Sequence, residues 1–176
     1  MVRHPVLEFR FSIPVLLSHW AGVLMLTLTA QAGLAQVAKH KTPPQPTIVF
    51  VCEHGAAKSV IAAAWFNKLA AEQHLPFRAI ARGLTPQDDL SESAVAGLRR
   101  DGIAFPSDKP LPLTESDARN AARVVALGPL STTPALGNAD SFDVPAPKDG
   151  YNQSRDAIVS HVNAVLKDLR EHWRAR

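Results

Sequence analysis

A single cysteine occurs in the 176 residues of the chain, and the residues after it are of types that do chemistry together. Cys52 is followed by Glu53, His54, Gly55, Ala56, Ala57, Lys58 and Ser59. Thiolate, not thiol, is the reactive form of cysteine, and a nearby cation or hydroxyl favours it. Gly55, Ala56 and Ala57 carry almost no side chain, so main-chain N–H groups there can approach an oxyanion closely. A nucleophile, bare amides, a cation and a hydroxyl in this order suit attack on an oxyanion substrate. Cys52, with Lys58 and Ser59 close behind it, is therefore a candidate ionised nucleophile, and the loop from Glu53 to Lys58 a place that favours an anion, either a bound oxyanion or the thiolate itself. The competing reading is a small buried thiol kept only for packing.

Holding a sulfur beside free amides takes a strand that ends at the cysteine and a helix that starts after the loop. Thr47 to Cys52 (TIVFVC) is a β-branched apolar run suited to a strand buried on both faces. Val60 to Gln73, rich in Ala, Leu and Trp, reads as a helix. Phe77 to Ala81 predicts a second strand closed by Arg82-Gly83, and Ser91 to Arg100 a helix ended by Gly102. Thr114 and Asp117 form a capping box for a helix to Ala121. Ala122 to Leu127 is a third strand, and a short fourth is expected near Asp140 to Val144. From Tyr151 onward, Ile158, Val162, Val165, Leu166, Leu169 and Trp173 recur at spacings of three and four, one face of a long helix.

Strands alternating with helices need crossovers, which implies a parallel sheet with helices on both faces. Ligands of such sheets gather at the carboxyl ends of the strands, where Cys52 falls, and the open amides and dipole of the next helix favour an anion there. The dipole contributes about 0.3 to 1 kcal/mol, under the roughly 1.36 kcal/mol that moves acidity by one unit. Lys58 and Ser59 must therefore add to it, against Glu53, to give a partly ionised nucleophile.

Composition bounds the rest. The length suits one domain, and 46% hydrophobic residues suffice for a core. Formal net charge is only +3, and no run of five like charges occurs, so nucleic acid is not an expected partner. A lone cysteine excludes an intrachain disulfide and a Cys-rich zinc site, and His74, His161 and His172 have no metal-ligand spacing. No metal and no cofactor is expected.

Residues 1–35 have a different character. Arg3 and Arg10 precede an uncharged core, Ala21 to Ala30, and small residues follow, with Gly33 and Ala35 placed for cleavage after Ala35 and Ala30 with Ala32 as the other choice. This reads as a secretory signal, so an exported, periplasmic protein is expected, with no stable membrane span once the signal is cut. Ile13 to Ala35 is also long enough to serve as an uncleaved anchor, and Met25 is a rival start. Residues 36–46 read as a Pro-rich tether and 47–176 as the folded domain.

VFVCEHGAAKS followed by an alanine-rich helix resembles the phosphate-binding loop of the low-molecular-weight protein tyrosine phosphatase and arsenate reductase superfamily, whose pattern is Cys, five residues, Arg, Ser. ARGLTPQDDLSESAVAGLRRDGI is similar to its second strand and following helix, SDKPLPLTESDARNAARVVAL to the approach to its third strand, and SFDVPAPKDGYNQSRDAIVSHV to its acid loop and last helix. The resemblance implies a flavodoxin-like, doubly wound α/β domain with four parallel strands in the order 2-1-3-4. It implies attack by Cys52 on a phosphomonoester, stabilisation of the thiolate by Ser59, protonation of the leaving oxygen by an acid-loop Asp, and hydrolysis of the phosphoenzyme by water. Phosphate, arsenate or a phosphoprotein would be the partners.

Three features depart from that pattern. Lys58 stands in place of Arg, and an ammonium is a point charge where a guanidinium grips two oxygens in one plane. No Asp precedes Pro145 or Pro147, leaving Asp143 as the nearest carboxylate and the candidate general acid, with a turn or capping role as its alternative. Gly55 stands where the family often has Asn, so an unbraced, more mobile cradle is expected. A loop with one cysteine cannot run a thioredoxin-linked cascade through two further cysteines, although an external thiol could reduce arsenate. Glu53 at the mouth should penalise dianions. Trp65 and Phe66 read as helix core, and Phe142 and Tyr151 either wall an aryl site or pack in the core.

Overall fold

β1 (Thr47–Cys52) carries the β-branched run and is buried from Ile48 to Cys52. A strand apolar on both faces belongs at the centre of a covered sheet. β2 (Arg78–Gly83) and β3 (Ala121–Leu127) flank it in parallel, and β4 (Asp140–Phe142) pairs in parallel with β3. The sheet has four strands in the order β2-β1-β3-β4, as expected. This computed structural model describes residues 45–130, 136–137 and 139–174. The expected signal (1–35) and all but the last two residues of the tether (36–46) lie outside the described residues.

The crossovers are α1 (Lys58–Glu72), α2 (Glu92–Arg100) and α3 (Glu115–Asn120), with α4 (Tyr151–Arg174) closing the chain after a 3₁₀ turn, Pro147–Asp149. Successive side chains of β1 point to opposite faces. Ile48, Phe50 and Cys52 join α1, α2 and α4 in the larger core, while Val49 and Val51 pack with Leu136 and the partly buried Ile80, Leu113 and Leu130. Phe50 and Phe66 meet with ring centroids 5.7 Å apart, which makes Phe66 core as expected. α4 buries Ile158, Val162, Val165, Leu166 and Leu169 on its apolar face; Trp173, expected there too, is 43% exposed and only edges against Phe77.

Two boundaries matter for the site. α1 starts at Lys58, two residues before the apolar run, because the Ile61 N–H already bonds Ala57 O at 2.9 Å. β2 runs on to Gly83, whose Cα partners Cys52 and whose N–H and C=O bond Leu111 and Leu113. α3 has the expected capping box, and Asp117 in it also takes the Arg82 guanidinium, Nε to Oδ2 at 2.8 Å. Burial pushes the Asp117 carboxyl up, but the hydrogen bonds from Arg82 and Thr114 outweigh it and hold the group below the ordinary carboxylate value.

Candidate oxyanion site

β1 delivers Cys52 to the carboxyl edge of the sheet with only 6% of its surface exposed. The loop that follows must turn at once, and Gly55 does so with φ +62, a conformation L side chains rarely adopt. A Cβ on Gly55 would stand 2.8 Å from Gly83 N, and one on Gly83 would stand 2.6 Å from Gly55 N. Two main chains touch here, so the loop is seated directly on the end of β2.

Main-chain hydrogen bonds fix the loop further. Leu84 N–H donates to Cys52 O (3.2 Å), Thr85 N–H to Glu53 O (2.8 Å), Gln87 N–H to His54 O (3.2 Å) and Ser91 N–H to Ala56 O (3.0 Å). These bonds tie the loop to the β2–α2 segment, although Gly55 carries no bracing amide. With the carbonyls committed, the N–H groups of residues 53–59 have no acceptor among the described residues. Nothing caps the helix either: Ala57 has no capping side chain, and no acidic residue occupies the first turn of α1.

Ser59 is fully buried, and its Oγ lies 3.2 Å from Cys52 Sγ. An ionised sulfur at that distance accepts from the hydroxyl. Lys58 makes no ion pair or hydrogen bond among the described residues, and its Nζ stands beside the end of β3, 3.5 Å from where a Cβ on Gly128 would be. Glu53 accepts from Thr85 Oγ1 at 2.6 Å, which holds its carboxylate at the rim. His54 Nδ1 lies 3.3 Å from Thr85 O.

These residues enclose a cleft of about 810 Å³ lined by Cys52, Glu53, His54, Ala57 and Lys58, and by parts of segments 87–91, 127–130 and 146–148. Gly55, Ala56 and Ser59 are buried and not among the lining residues, and Ser59 reaches the cleft only through its contact with Cys52 Sγ. Asp143 is exposed, follows β4 directly and is not among the lining residues. From the expected acid loop come Ala146, Pro147 and Lys148 instead. The sequence reading missed Lys148, Asp88 and Asp89. The two Asp residues could have been found from their place just beyond β2, at the same sheet edge as Cys52.

Neither aromatic candidate walls the cleft. Phe142 stacks on His161 at 4.2 Å, and Tyr151 lies over Gly97, where a Cβ would come within 2.1 Å of its ring. Among the described residues no group of three His, Cys, Asp or Glu could hold a metal ion, and no helix is long and apolar enough to cross a membrane. The charges facing the cleft are therefore mixed: Lys58 and Lys148 against Glu53, Asp88 and Asp89, with His54 beside the nucleophile.

No family model and no curated protein matches the chain. Solved structures do. YfkJ from Bacillus subtilis superposes with a TM-score of 0.64 at 19% identity, covering 73% of this chain and 96% of that one. A low-molecular-weight protein tyrosine phosphatase from T. tengcongensis gives 0.61 at 20% identity, over 70% and 99%. An arsenate reductase in its phosphate-binding state gives 0.61 at 16% identity, over 70% and 98%. The four parallel strands, their order and the cysteine at the end of β1 thus give this chain the fold of the low-molecular-weight phosphatases and arsenate reductases.

Proposed function

We propose that residues 47–176 form a cysteine-dependent phosphomonoesterase. Cys52 attacks phosphorus, the S–P bond forms as the P–O bond to the leaving group breaks, and water then hydrolyses the phosphocysteine. The observation that carries this reading is the Ser59 hydroxyl at 3.2 Å from Cys52 Sγ, in a cleft backed by the uncommitted amides of residues 53–59. Lys58 supplies the cation for the transferring phosphoryl group. Losing one charge-assisted hydrogen bond relative to an arginine costs about 1.5 to 3 kcal/mol, or roughly 10- to 150-fold in rate, so turnover is slow.

A second reading, an oxyanion-binding domain without turnover, is favoured by the position of Asp143 outside the cleft. Reduction of arsenate is a further alternative and would need an external thiol, since the chain has one cysteine. Turnover of p-nitrophenyl phosphate by the full chain, beside Cys52→Ser and Lys58→Arg, separates them. The phosphatase reading expects weak activity, none with Cys52→Ser, and a gain of about tenfold or more with Lys58→Arg. Micromolar binding of phosphate or arsenate without Cys52-dependent turnover supports the silent binder, and arsenite release in the presence of glutathione supports the reductase. The substrate we propose is a phosphoprotein, through phosphotyrosine. Export to the periplasm through residues 1–35 belongs to the same proposal, and N-terminal sequencing of periplasmic protein after expression of the full chain checks it.

A further inference from the structure

We infer that His54, not an acid-loop aspartate, transfers the proton in this cleft, an assignment that rests on the phosphatase reading above. A poor leaving group needs a proton as its bond to phosphorus breaks, and Asp143 does not line the cleft. His54 lines it and sits two residues after the nucleophile on the loop that holds it.

What fits the imidazole for this task is its partner. Nδ1 lies 3.3 Å from the carbonyl oxygen of Thr85, and a carbonyl only accepts, so Nδ1 carries the hydrogen. The atom that gains and loses a proton is then Nε2. The same Thr85 is tied to the loop twice more, through its N–H to Glu53 O at 2.8 Å and its hydroxyl to Glu53 Oε1 at 2.6 Å. The ring is thus held by a residue that is itself fixed to the nucleophile's loop.

Other ionisable groups face the same space: Cys52 and Glu53 on the loop, Lys58 at the start of α1, Asp88 and Asp89 before α2, and Lys148 on the 3₁₀ turn. Asp88 and Asp89 are exposed, as His54 is, but no hydrogen bond or ion pair among the described residues orients either carboxylate, whereas Thr85 O orients the imidazole. Lys148 is exposed, and no hydrogen bond or ion pair among the described residues orients its ammonium.

The proton balance closes within the two steps. In the first, the Cys52 thiolate bonds to phosphorus, and the Nε2 proton of the imidazolium passes to the departing oxygen as it leaves with its electron pair. The neutral ring that remains bears its hydrogen on Nδ1, the form the Thr85 carbonyl selects. In the second, Nε2 takes a proton from water, whose oxygen bonds to phosphorus. The S–P bond breaks, and thiolate and inorganic phosphate are released.

The test compares kcat/KM, which reports the first step, for p-nitrophenyl phosphate, whose leaving group departs unprotonated, and phenyl phosphate, whose leaving group does not. His54→Ala should lower the phenyl phosphate value by about 10²-fold and the p-nitrophenyl value only a few-fold, with added imidazole restoring the former. His54→Gln, which can still donate to Thr85 O but has no proton to transfer, should match His54→Ala and keep the loop seated. Equal loss on both substrates, or no loss, overturns the assignment while Cys52-dependent turnover leaves the phosphatase reading standing. Transfer of the leaving-group dependence to Asp88→Asn or Asp89→Asn also overturns it. A protein with no Cys52-dependent turnover of either ester overturns both.

Discussion

At the scale of single residues, Ser59 is the group whose only role within reach is electrostatic. It is fully buried, and its hydroxyl has Cys52 Sγ as partner at 3.2 Å. An alanine fills the same space and removes the donor. A hydrogen bond to a charged group is worth about 1.5 to 3 kcal/mol, so Ser59→Ala should slow alkylation of Cys52 by iodoacetamide at neutral pH by at least about tenfold with the fold intact by circular dichroism. An unchanged alkylation rate would mean that the hydroxyl does not support the thiolate. Cys52, Lys58 and Ser59 were legible in the sequence because they are neighbours along the chain. Asp88, Asp89 and Lys148 were not, since only the alignment of strand ends brings their segments to Cys52. Asp143 shows the converse: the nearest carboxylate to the acid loop along the chain lies outside the cleft in space.

At the scale of elements, the site depends on how close the loop after β1 can come to the end of β2. The contact is main chain against main chain, with Gly55 and Gly83 each occupying the space a Cβ of the other would need. Neither side has a flexible side chain to give way. Gly83→Ala should therefore push the loop off β2, weaken the four hydrogen bonds from segment 84–91 and destabilise the domain by about 1 to 3 kcal/mol. The Tm and phosphate affinity should fall together; a fall in neither would show that the loop does not need this seat. The strands and helices were readable to within about two residues at their ends, from the β-branched runs, the alanine-rich stretch, the capping box and, in α4, the apolar period. This seat was not, because Arg82-Gly83 reads equally well as the close of a strand. Only the partnering of Cys52 with Gly83 shows that the glycine is required by a second glycine 28 positions earlier.

Across the whole molecule, α2 and α4 are tied together on one side of the sheet by Tyr151, the only tyrosine of the chain. Its O–H donates to Asp101 at 2.7 Å, its ring lies against Gly97, and the guanidinium groups of Arg100 and Arg155 lie 5.3 and 5.7 Å from the ring centre. Burial first, and then the hydrogen bond to Asp101, push the phenol up from 10.0 to about 12. A group raised on folding adds stability that is full below its unfolded value and is lost as pH climbs through the folded one. The loss from Tyr151 therefore falls between about pH 10 and 12 and amounts to two units, on the order of 2 to 3 kcal/mol. Because no other tyrosine contributes, phenolate absorbance near 295 nm reads this group alone. Its midpoint should lie near pH 12 in the folded protein, as burial demands, and near 10 in urea. To isolate this group, the pH dependence of the urea midpoint must be compared with Tyr151→Phe, which keeps the ring over Gly97 and removes the hydroxyl together with its hydrogen bond to Asp101. The variant should lose the extra fall in stability between pH 10 and 12. A native midpoint near 10, or the same pH dependence in both proteins, would mean that the Tyr151 hydroxyl adds nothing to the joint, which the Arg155–Asp101 pair and apolar packing would then hold.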